Sequence, residues 1–166
     1  ADAFQLQFLT GMRFGEMAGL SWDDVSFSTG IISVKRQLKV CRIDGKVQHR
    51  IGALKTNNSY RDIPMPGILI RVLSDWKPNT VPTSVLGFRT AESYPLNYWI
   101  KKTLPNTSIH DFRHTYATNL LANGVDVKTV AALCGDTVTT IINTYIDFTE
   151  EMRKKASRDV DAIFSK

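Results

Sequence analysis

The sequence predicts a mixed α+β fold, mainly helical, with a small three-stranded antiparallel sheet. Apolar residues recur at helical spacing at the start of the chain and through most of its final third. From Ile31 to Val40 the apolar period changes to two, which is typical of a strand with one buried face. Asp44-Gly45 then gives a hairpin turn signal before a second run. Helices packed on one small sheet satisfy these observations.

The predicted elements follow in order along the chain. Two short helices cover residues 4–12 and 16–22, and three strands cover residues 31–40, 47–55 and 60–63. The later helices are predicted over residues 68–76, 96–104, 108–124, 126–135, 137–145 and 149–164. Ser108 and Asp111 have the spacing of a capping box, and Asp126 is a favourable N-cap for the next helix. Gly124 and Gly135 end these two helices.

The composition is that of a globular, moderately basic protein. The chain has 166 residues, 43% of them hydrophobic, and a formal net charge of +5, which excludes a disordered chain. No apolar run approaches the roughly 18 residues that span a bilayer, and a signal-peptide pattern is missing. We therefore expect a soluble, cytoplasmic protein. Cys41 and Cys134 lack zinc-ligand or disulfide spacing, so neither a zinc site nor a disulfide framework is expected. No metal and no cofactor are predicted for this chain.

Basic residues are concentrated in the predicted sheet. Residues 35–61 contain eight lysines and arginines and one acidic residue, Asp44. Such a face suits a DNA backbone, because each neutralised phosphate releases counterions. The residues expected to contact DNA are Lys35, Arg36, Lys39, Arg50 and Arg61. The alternative is a solvated sheet edge that uses lysines to prevent association.

Two arginines, Arg13 and Arg113, are expected to be at least partly buried. Arg13 stands at a helix start with Glu16 three residues on, and Arg113 borders an apolar helix stripe. A buried guanidinium needs a carboxylate partner or a site that receives an anion. Its planar fork fits two oxygens of one phosphate. Ion pairs, such as Arg13 with Glu16, are the alternative.

Three more side chains are candidates for chemistry on a phosphate. His110 precedes Arg113 by three positions, so both project from nearly one helix face. Lys55 ends a predicted strand, where its ammonium can reach a groove. Tyr145 follows the Gly135 break, and a phenol becomes a competent nucleophile when cations stabilise its oxyanion. The alternatives are a structural histidine, a surface lysine and a packing tyrosine.

The order of these motifs resembles the catalytic domain of tyrosine recombinases, the phage integrase family, and in particular the integrases of temperate phages and of integrative and conjugative elements. The motifs are TGMRFGEMAGLSWDDV, ALKTNNSYRDIPM, HDFRHTYATNLLANG and VAALCGDTVTTIINTY. The resemblance implies a site-specific enzyme that cuts and rejoins DNA through a 3′-phosphotyrosyl intermediate without metal or ATP. It implies that Tyr145 is the nucleophile and that Arg13 and Arg113 bind the phosphate. Lys55 would protonate the leaving 5′-oxygen, and His110 would assist proton transfer from the tyrosine.

One catalytic position departs from the family pattern. Asp136 stands where the family usually has histidine and sometimes tryptophan. An ionised carboxylate repels the scissile phosphate unless it is protonated or turned toward an arginine. We therefore expect the parent protein to cleave a suicide substrate more slowly than an Asp136→His variant does. The alternative is that Asp136 only caps the following helix.

The resemblance also bears on domains and partners. The family normally carries one or two DNA-binding domains before the catalytic domain, so residues 1–166 are expected to be a single catalytic domain of a longer protein. The expected partner is double-stranded DNA, bound by a homotetramer of the full-length protein, whereas this chain alone is expected to be a monomer or weak dimer. Alternatives are a catalytically impaired DNA-binding module derived from a recombinase, DNA relaxation of the type IB topoisomerase kind, and a helical domain with ion-paired arginines.

Overall fold

The described part of the chain, which is residues 2–76, 84–86 and 94–145 of a computed structural model, contains seven α-helices, five short strands and two 3-10 helices, Trp22–Asp24 and Asn57–Ser59. The helices are α1 (Asp2–Thr10), α2 (Phe14–Ala18), α3 (Gly67–Trp76), α4 (Tyr94–Thr103), α5 (Ile109–Ala122), α6 (Val127–Cys134) and α7 (Val138–Tyr145). The strands are β1 (Val25–Ser26), β2 (Ile31–Val34), β3 (Gln37–Ile43), β4 (Lys46–Gly52) and β5 (Arg61–Pro64). The predicted helix over residues 149–164 lies outside the described residues.

The predicted three-stranded antiparallel sheet is confirmed, but its members differ from those expected. The sheet has the order β1-β2-β5, whereas β3 and β4 form a separate two-stranded hairpin. The single strand predicted over residues 31–40 divides at Lys35 and Arg36, between β2 and β3. The period-two pattern runs across this break because Val34 and Leu38 are both buried, one on each side of it. The expected strand over residues 47–55 also ends earlier, at Gly52.

The hairpin turn lies where the sequence places it. Asp44 and Gly45 both have positive φ, 51° and 74°, and they connect Ile43 to its partner Lys46. Positive φ at both central residues is the requirement of a type I′ turn, whose twist matches that of the flanking strands. Lys39 stands opposite Arg50 in the register, so these two side chains share one face of the hairpin.

Two groups of buried side chains hold the helices together. The larger group joins α1, α2, the sheet and α3, and its fully buried members include Leu6, Met17, Ile32 and Leu69. The smaller group joins α5, α6 and α7, and it contains Ala117, Leu121, Val130, Ala131, Cys134 and Ile141. Each fully buried leucine or isoleucine contributes about 1.5–3 kcal/mol relative to an exposed one. The candidate site lies where these two groups meet.

The predicted helix caps are present in the second half. The backbone N–H of Ser108 donates to Asp111 Oδ2 at 2.7 Å, which is one half of the expected capping box. Asp126 Oδ1 accepts from the backbone N–H groups of Lys128 and Thr129, both at 3.0 Å. These caps fix the starts of α5 and α6, and thereby the positions of the residues that follow. Among the described helices, none is long and apolar enough to cross a membrane.

Candidate catalytic site

The carbonyl end of α6 is the centre of the candidate site. The backbone oxygens of Leu133, Cys134 and Gly135 each accept a hydrogen bond from a different arginine. The three donors are Arg61, Arg113 and Arg13, respectively, and they come from β5, α5 and the residue before α2. A helix C-terminus carries partial negative charge, so it attracts guanidinium groups. The fold thus brings three arginines from distant segments of the chain to the C-terminal end of α6.

Gly135 makes this convergence possible. It ends α6 with φ of 67° and ψ of 38°, the left-handed conformation that glycine adopts without strain. A Cβ at this position would lie 2.7 Å from Arg61 Nη1 and 3.2 Å from the carbonyl oxygen of Asn58. The turn therefore presents the carbonyl of Gly135 to Arg13 and leaves room for the guanidinium of Arg61.

Arg13 is held in place before it can meet a ligand. Its backbone N–H donates to Glu16 Oε2 at 2.8 Å, and its Nη1 donates to Glu16 Oε1 at 2.9 Å. Its Nη2 donates to the carbonyl of Gly135 at 2.7 Å. Burial lowers the pKa of Arg13, but Glu16 and Asp136 outweigh burial and raise it, so this cation persists at any working pH. The ion pair of Arg13 with Glu16 considered from the sequence is present.

Arg113 is the more deeply buried member of the pair. It is 3% exposed, its Nη1 donates to the carbonyl of Gly11 at 2.5 Å, and its Nη2 donates to the carbonyl of Cys134 at 2.7 Å. These contacts tie α5 to the turn after α1 and to the end of α6. The expectation that Arg113 is buried is therefore confirmed, and its guanidinium faces the same point as that of Arg13.

Asp136 bridges the two arginines. Its Oδ1 accepts from Arg13 Nη2 and its Oδ2 accepts from Arg113 Nη2. Burial alone would raise the pKa of Asp136, but Arg113 and Arg13 outweigh burial and lower it. Asp136 is thus ionised at neutral pH and turned toward both arginines, which was one of the two arrangements that make a carboxylate tolerable here. Among the contacts described for its side chain, none caps α7.

The prediction that Arg61 contacts DNA is wrong, because its side chain is buried. We expected Arg61 on the DNA-binding face, but its side chain is only 5% exposed. Its Nη2 donates to Glu16 Oε2 at 2.8 Å, its Nε to the carbonyl of Leu133 at 2.6 Å, and its Nη1 to the carbonyl of Ser59 at 2.9 Å. All three nitrogens bind inside the protein because a buried guanidinium must be satisfied there.

Glu16 binds two arginines of the site, whereas the sequence indicates only its pair with Arg13. It is 2% exposed and receives both Arg13 and Arg61. Burial raises its pKa, but the hydrogen bond and charge of Arg61 outweigh burial and lower it. The spacing of Glu16 three residues after Arg13 signals the first contact. No local signal indicates the second, because Arg61 lies 45 residues further along the chain.

Lys55 follows the second strand of the hairpin. It is exposed, in a bend after β4, and it lines a cavity of about 330 Å³ together with Arg13 and Asp136. Leu54 beside it is buried in the larger core group and anchors the bend. Thr137 and Thr140 line the other wall of this cavity. An exposed ammonium beside a cleft that contains a guanidinium can approach an anion in that cleft.

His110 stands on the first turn of α5, and its ring packs edge-on against His114 at a centroid distance of 4.6 Å. Desolvation by the surrounding protein lowers the pKa of His110, and the nearby His114 and Arg113 lower it further. The imidazole is therefore neutral at pH 7, which is the form that can accept a proton.

Tyr145 is the last residue of α7. Ile141 of the same helix is buried in the smaller core group and fixes α7 against α6. The side chain of Tyr145 lies outside the described residues, so its expected role stays a prediction.

The basic face is mainly a property of the hairpin. Lys39 and Arg50 are exposed and adjacent across the two strands, and Arg50 Nε donates to Gln48 Oε1 at 3.0 Å. Lys35 is exposed in the connection between β2 and β3. Arg36 lies beside it and pairs with the buried carboxylate of Asp24 at 2.9 Å. Of the five residues expected to contact DNA, these four thus remain accessible.

Known proteins are similar to this chain in sequence. The chain is 31% identical over 191 residues to a tyrosine recombinase XerC-like protein of Caldanaerobacter subterraneus subsp. tengcongensis, covering 97% of this chain and 49% of the relative. It is 28% identical over 179 residues to the ICEBs1 integrase of Bacillus subtilis, covering 95% of this chain and 47% of the relative. The chain therefore spans about half the length of these curated relatives.

Solved structures share its fold. The Tn1549 transposon integrase in complex with transposon right end DNA superposes with a TM-score of 0.71 at 23% identity, covering 95% of this chain and 57% of that chain. The XerA recombinase superposes with a TM-score of 0.66 at 19% identity, with the same coverage of 95% and 57%. The sequence of residues 1–152 matches the profile of the phage integrase family. This match shows that the chain belongs to the phage integrase family, as its motifs indicate.

Proposed function

We propose that this chain is the catalytic domain of a tyrosine-type site-specific recombinase that cuts and rejoins DNA. The observation that carries the proposal is the convergence of Arg13 and Arg113 on one point beside the cavity that Lys55 lines. Two fixed guanidinium groups at a single anion position suit a phosphodiester, because the charge that develops in its transition state lies on the non-bridging oxygens. Membership of the phage integrase family supports the same chemistry.

In the proposed reaction, Tyr145 Oη attacks the scissile phosphorus and the bond from phosphorus to the 5′-oxygen breaks. The phenolic proton passes to His110, and Lys55 donates a proton to the departing 5′-oxygen. The products are a 3′-phosphotyrosyl link and a free 5′-hydroxyl. Attack by the 5′-hydroxyl of a partner duplex reverses these steps and restores the tyrosine. One phosphoester bond forms for each that breaks, so the proposed reaction needs no ATP, and Arg13 and Arg113 are proposed to stabilise the charge that a metal would otherwise neutralise.

The ionisation of the described residues supports these roles. His110 has a lowered pKa and is neutral at pH 7, so it can accept the tyrosine proton. The raised pKa of Arg13 keeps its charge fixed throughout the reaction. The proposed reaction thus combines a group that changes its protonation state with a cation that does not, as a proton transfer on an anion requires.

Double-stranded DNA is the proposed partner. The Tn1549 integrase is described in complex with DNA, and the hairpin of this chain presents Lys39 and Arg50 on one exposed face. We propose that these residues contact the phosphate backbone, together with Lys35 and Arg36. The full-length protein would act as a homotetramer on its DNA, with contacts outside this chain contributing the remainder of the affinity.

A second candidate is a DNA-binding module that has lost cleavage. One observation favours it: the carboxylate of Asp136 occupies the position between the two arginines where a phosphate would bind. The experiment below separates it from the first candidate.

The test is covalent trapping on a nicked duplex that carries the attachment site of the encoding element. We expect a protein–DNA adduct on a denaturing gel from the parent and from Tyr98→Phe, which changes an exposed tyrosine on α4. Tyr145→Phe should give none, because it lacks the nucleophilic oxygen. An adduct that persists in Tyr145→Phe contradicts the assignment of the nucleophile. Binding of the duplex without any adduct from the parent favours the non-catalytic module.

A further inference from the structure

Both hydrogen atoms on Nη2 of each arginine are used at the point where Arg13 and Arg113 meet. Arg13 Nη2 carries two hydrogens, of which one binds the carbonyl of Gly135 and the other binds Asp136 Oδ1. Arg113 Nη2 also carries two, which bind the carbonyl of Cys134 and Asp136 Oδ2. A phosphate oxygen can therefore receive these two donors only when the Asp136 carboxylate leaves them.

The carboxylate of Asp136 resembles a phosphodiester in geometry and in charge. It presents two oxygens on one central atom with a single negative charge, as a phosphodiester presents two non-bridging oxygens with a single negative charge. Each oxygen takes a different arginine, which is the arrangement expected for a bound phosphate. Asp136 thus binds both guanidinium groups with one carboxylate.

The side chain of Asp136 can leave without unfolding its surroundings. Its backbone N–H donates to the carbonyl of Ala131 at 2.9 Å, so the main chain stays anchored to the end of α6. The side chain is 22% exposed, and it borders the cavity lined by Lys55 and an adjoining one lined by Lys128. A rotation about its side-chain bonds can therefore turn the carboxylate away from the arginines and toward either cavity.

We propose that Asp136 is an internal anion that occupies the phosphate position of the free protein and is exchanged for a DNA phosphate. This inference rests on the proposed function, in which Arg13 and Arg113 bind the scissile phosphate. The charges favour the exchange once DNA supplies an anion. Arg13, Arg61 and Arg113 stand against Glu16 and Asp136, and departure of Asp136 leaves three cations facing one carboxylate.

The consequence is that affinity for a phosphate is set by competition at the site. A tethered carboxylate has a high effective concentration, so a weak free anion cannot displace it. A DNA duplex can, because its other phosphate contacts hold the scissile phosphate at the site. Asp136 thereby discriminates between an isolated anion and a phosphate presented by a bound duplex.

The test uses inorganic phosphate as the probe and thermal unfolding of the full 166-residue chain as the readout. In Asp136→Ala the two arginines lack their internal anion, so phosphate should bind between them. A ligand at about 100 times its Kd raises Tm of a domain this size by on the order of 5 to 10 °C. We expect such a rise for Asp136→Ala and a much smaller one for the parent, each measured against sodium chloride at equal ionic strength. Asp136→Asn, which keeps the side-chain shape without the charge, repeats the measurement if the alanine variant does not fold.

The matched control is Asp126→Ala, which removes an exposed carboxylate at the start of α6, away from the arginines. Its response to phosphate should equal that of the parent. An equal rise in the parent and in Asp136→Ala overturns the proposal, because it shows that phosphate does not compete with the carboxylate. Failure of phosphate to stabilise the Asp136 variants overturns it as well. Neither result depends on an adduct with Tyr145, so failure of this inference is distinguishable from failure of the proposed function.

Discussion

At the scale of single residues, the site is a chain of alternating charges. Arg61 binds Glu16, Glu16 binds Arg13, and Asp136 joins Arg13 to Arg113. Removal of one partner of a buried pair leaves the other charge without compensation, which costs more than loss of the pair as a whole. Arg61 therefore positions Arg13 through Glu16, although it has no contact with the cavity that Lys55 lines.

This arrangement predicts that Arg61→Met lowers the free energy of unfolding by about 3–5 kcal/mol, because Glu16 loses its most buried cation. Arg61→Met combined with Glu16→Gln should be less destabilised than the sum of the two single variants, since the glutamine carries no charge. Urea denaturation measures all three. Arg50→Met, on the exposed face of the hairpin, is the matched control and should change stability by no more than about 0.5 kcal/mol. Additive single effects would contradict the coupling.

At the scale of elements, the hairpin of β3 and β4 presents different side chains on its two faces. Lys39 and Arg50 share one face, whereas Arg42 stands opposite Val47 on the other. Val47 and Ile51 leave that second face partly apolar and exposed. The alternation of side chains along a strand thus places the paired cations on one side only.

The hairpin therefore predicts an asymmetry in DNA binding. Lys39→Gln and Arg50→Gln should each weaken binding of duplex DNA and reduce the slope of log K against log salt concentration by about 1, because each removes one phosphate contact. Arg42→Gln makes the same change on the opposite face and should alter the slope less. Fluorescence anisotropy over a range of salt concentrations measures the slope. Equal effects of all three substitutions would show that binding follows net charge and not the face of the hairpin.

Most of the order of elements could be predicted from the sequence, whereas the short strand β1 and the contacts across the chain could not. The caps at Ser108 and Asp126 and the turn at Asp44 are local signals, and they lie where expected. The division between β2 and β3 has no such signal, because the buried positions keep a period of two across it. The burial of Arg61 could not be predicted either, because its partner Glu16 is distant in the sequence and close only in the folded chain.

The same distinction holds within the candidate site. The spacing of Arg13 and Glu16, and the apolar stripe beside Arg113, indicated buried cations. The direction of Asp136 could not be read from its neighbours, since a residue after a helix end can cap the next helix or turn toward the preceding one. The two arginines decide between these, because an ionised carboxylate is more favourable beside two cations than in water alone.

At the scale of the whole molecule, the charges of the site join its two core groups. Glu16 and Arg61 belong to elements of the larger group, whereas Cys134 lies in the smaller group and Asp136 follows it. The ion pairs and the carbonyls of α6 thus connect α2 and β5 to α6. Stability of the whole domain should therefore depend on the ionisation of these carboxylates, and hence on pH.

The sign of this dependence follows from the direction of each pKa shift. The pKa values of Glu16 and Asp136 are lower in the folded protein than the usual values, so the unfolded chain binds more protons in acid. Their stabilisation is fully present above about pH 5 and is lost as pH falls through the folded pKa values. The pKa of His110 is lowered too. The unfolded chain therefore binds its imidazole proton first, and the stability that neutral His110 contributes begins to be lost as pH falls below about 6.5.

We therefore expect the urea midpoint of the parent to fall from pH 7 to pH 3, with the steeper part below about pH 5. Asp136→Asn removes one of the two carboxylates, so its midpoint should be lower than that of the parent at pH 7 but should fall less between pH 5 and pH 3. The difference between the two proteins narrows in acid because the parent loses there the ion pairs that the variant never has. Parallel pH profiles for the two proteins would show that the Asp136 carboxylate does not stabilise the fold through Arg13 and Arg113.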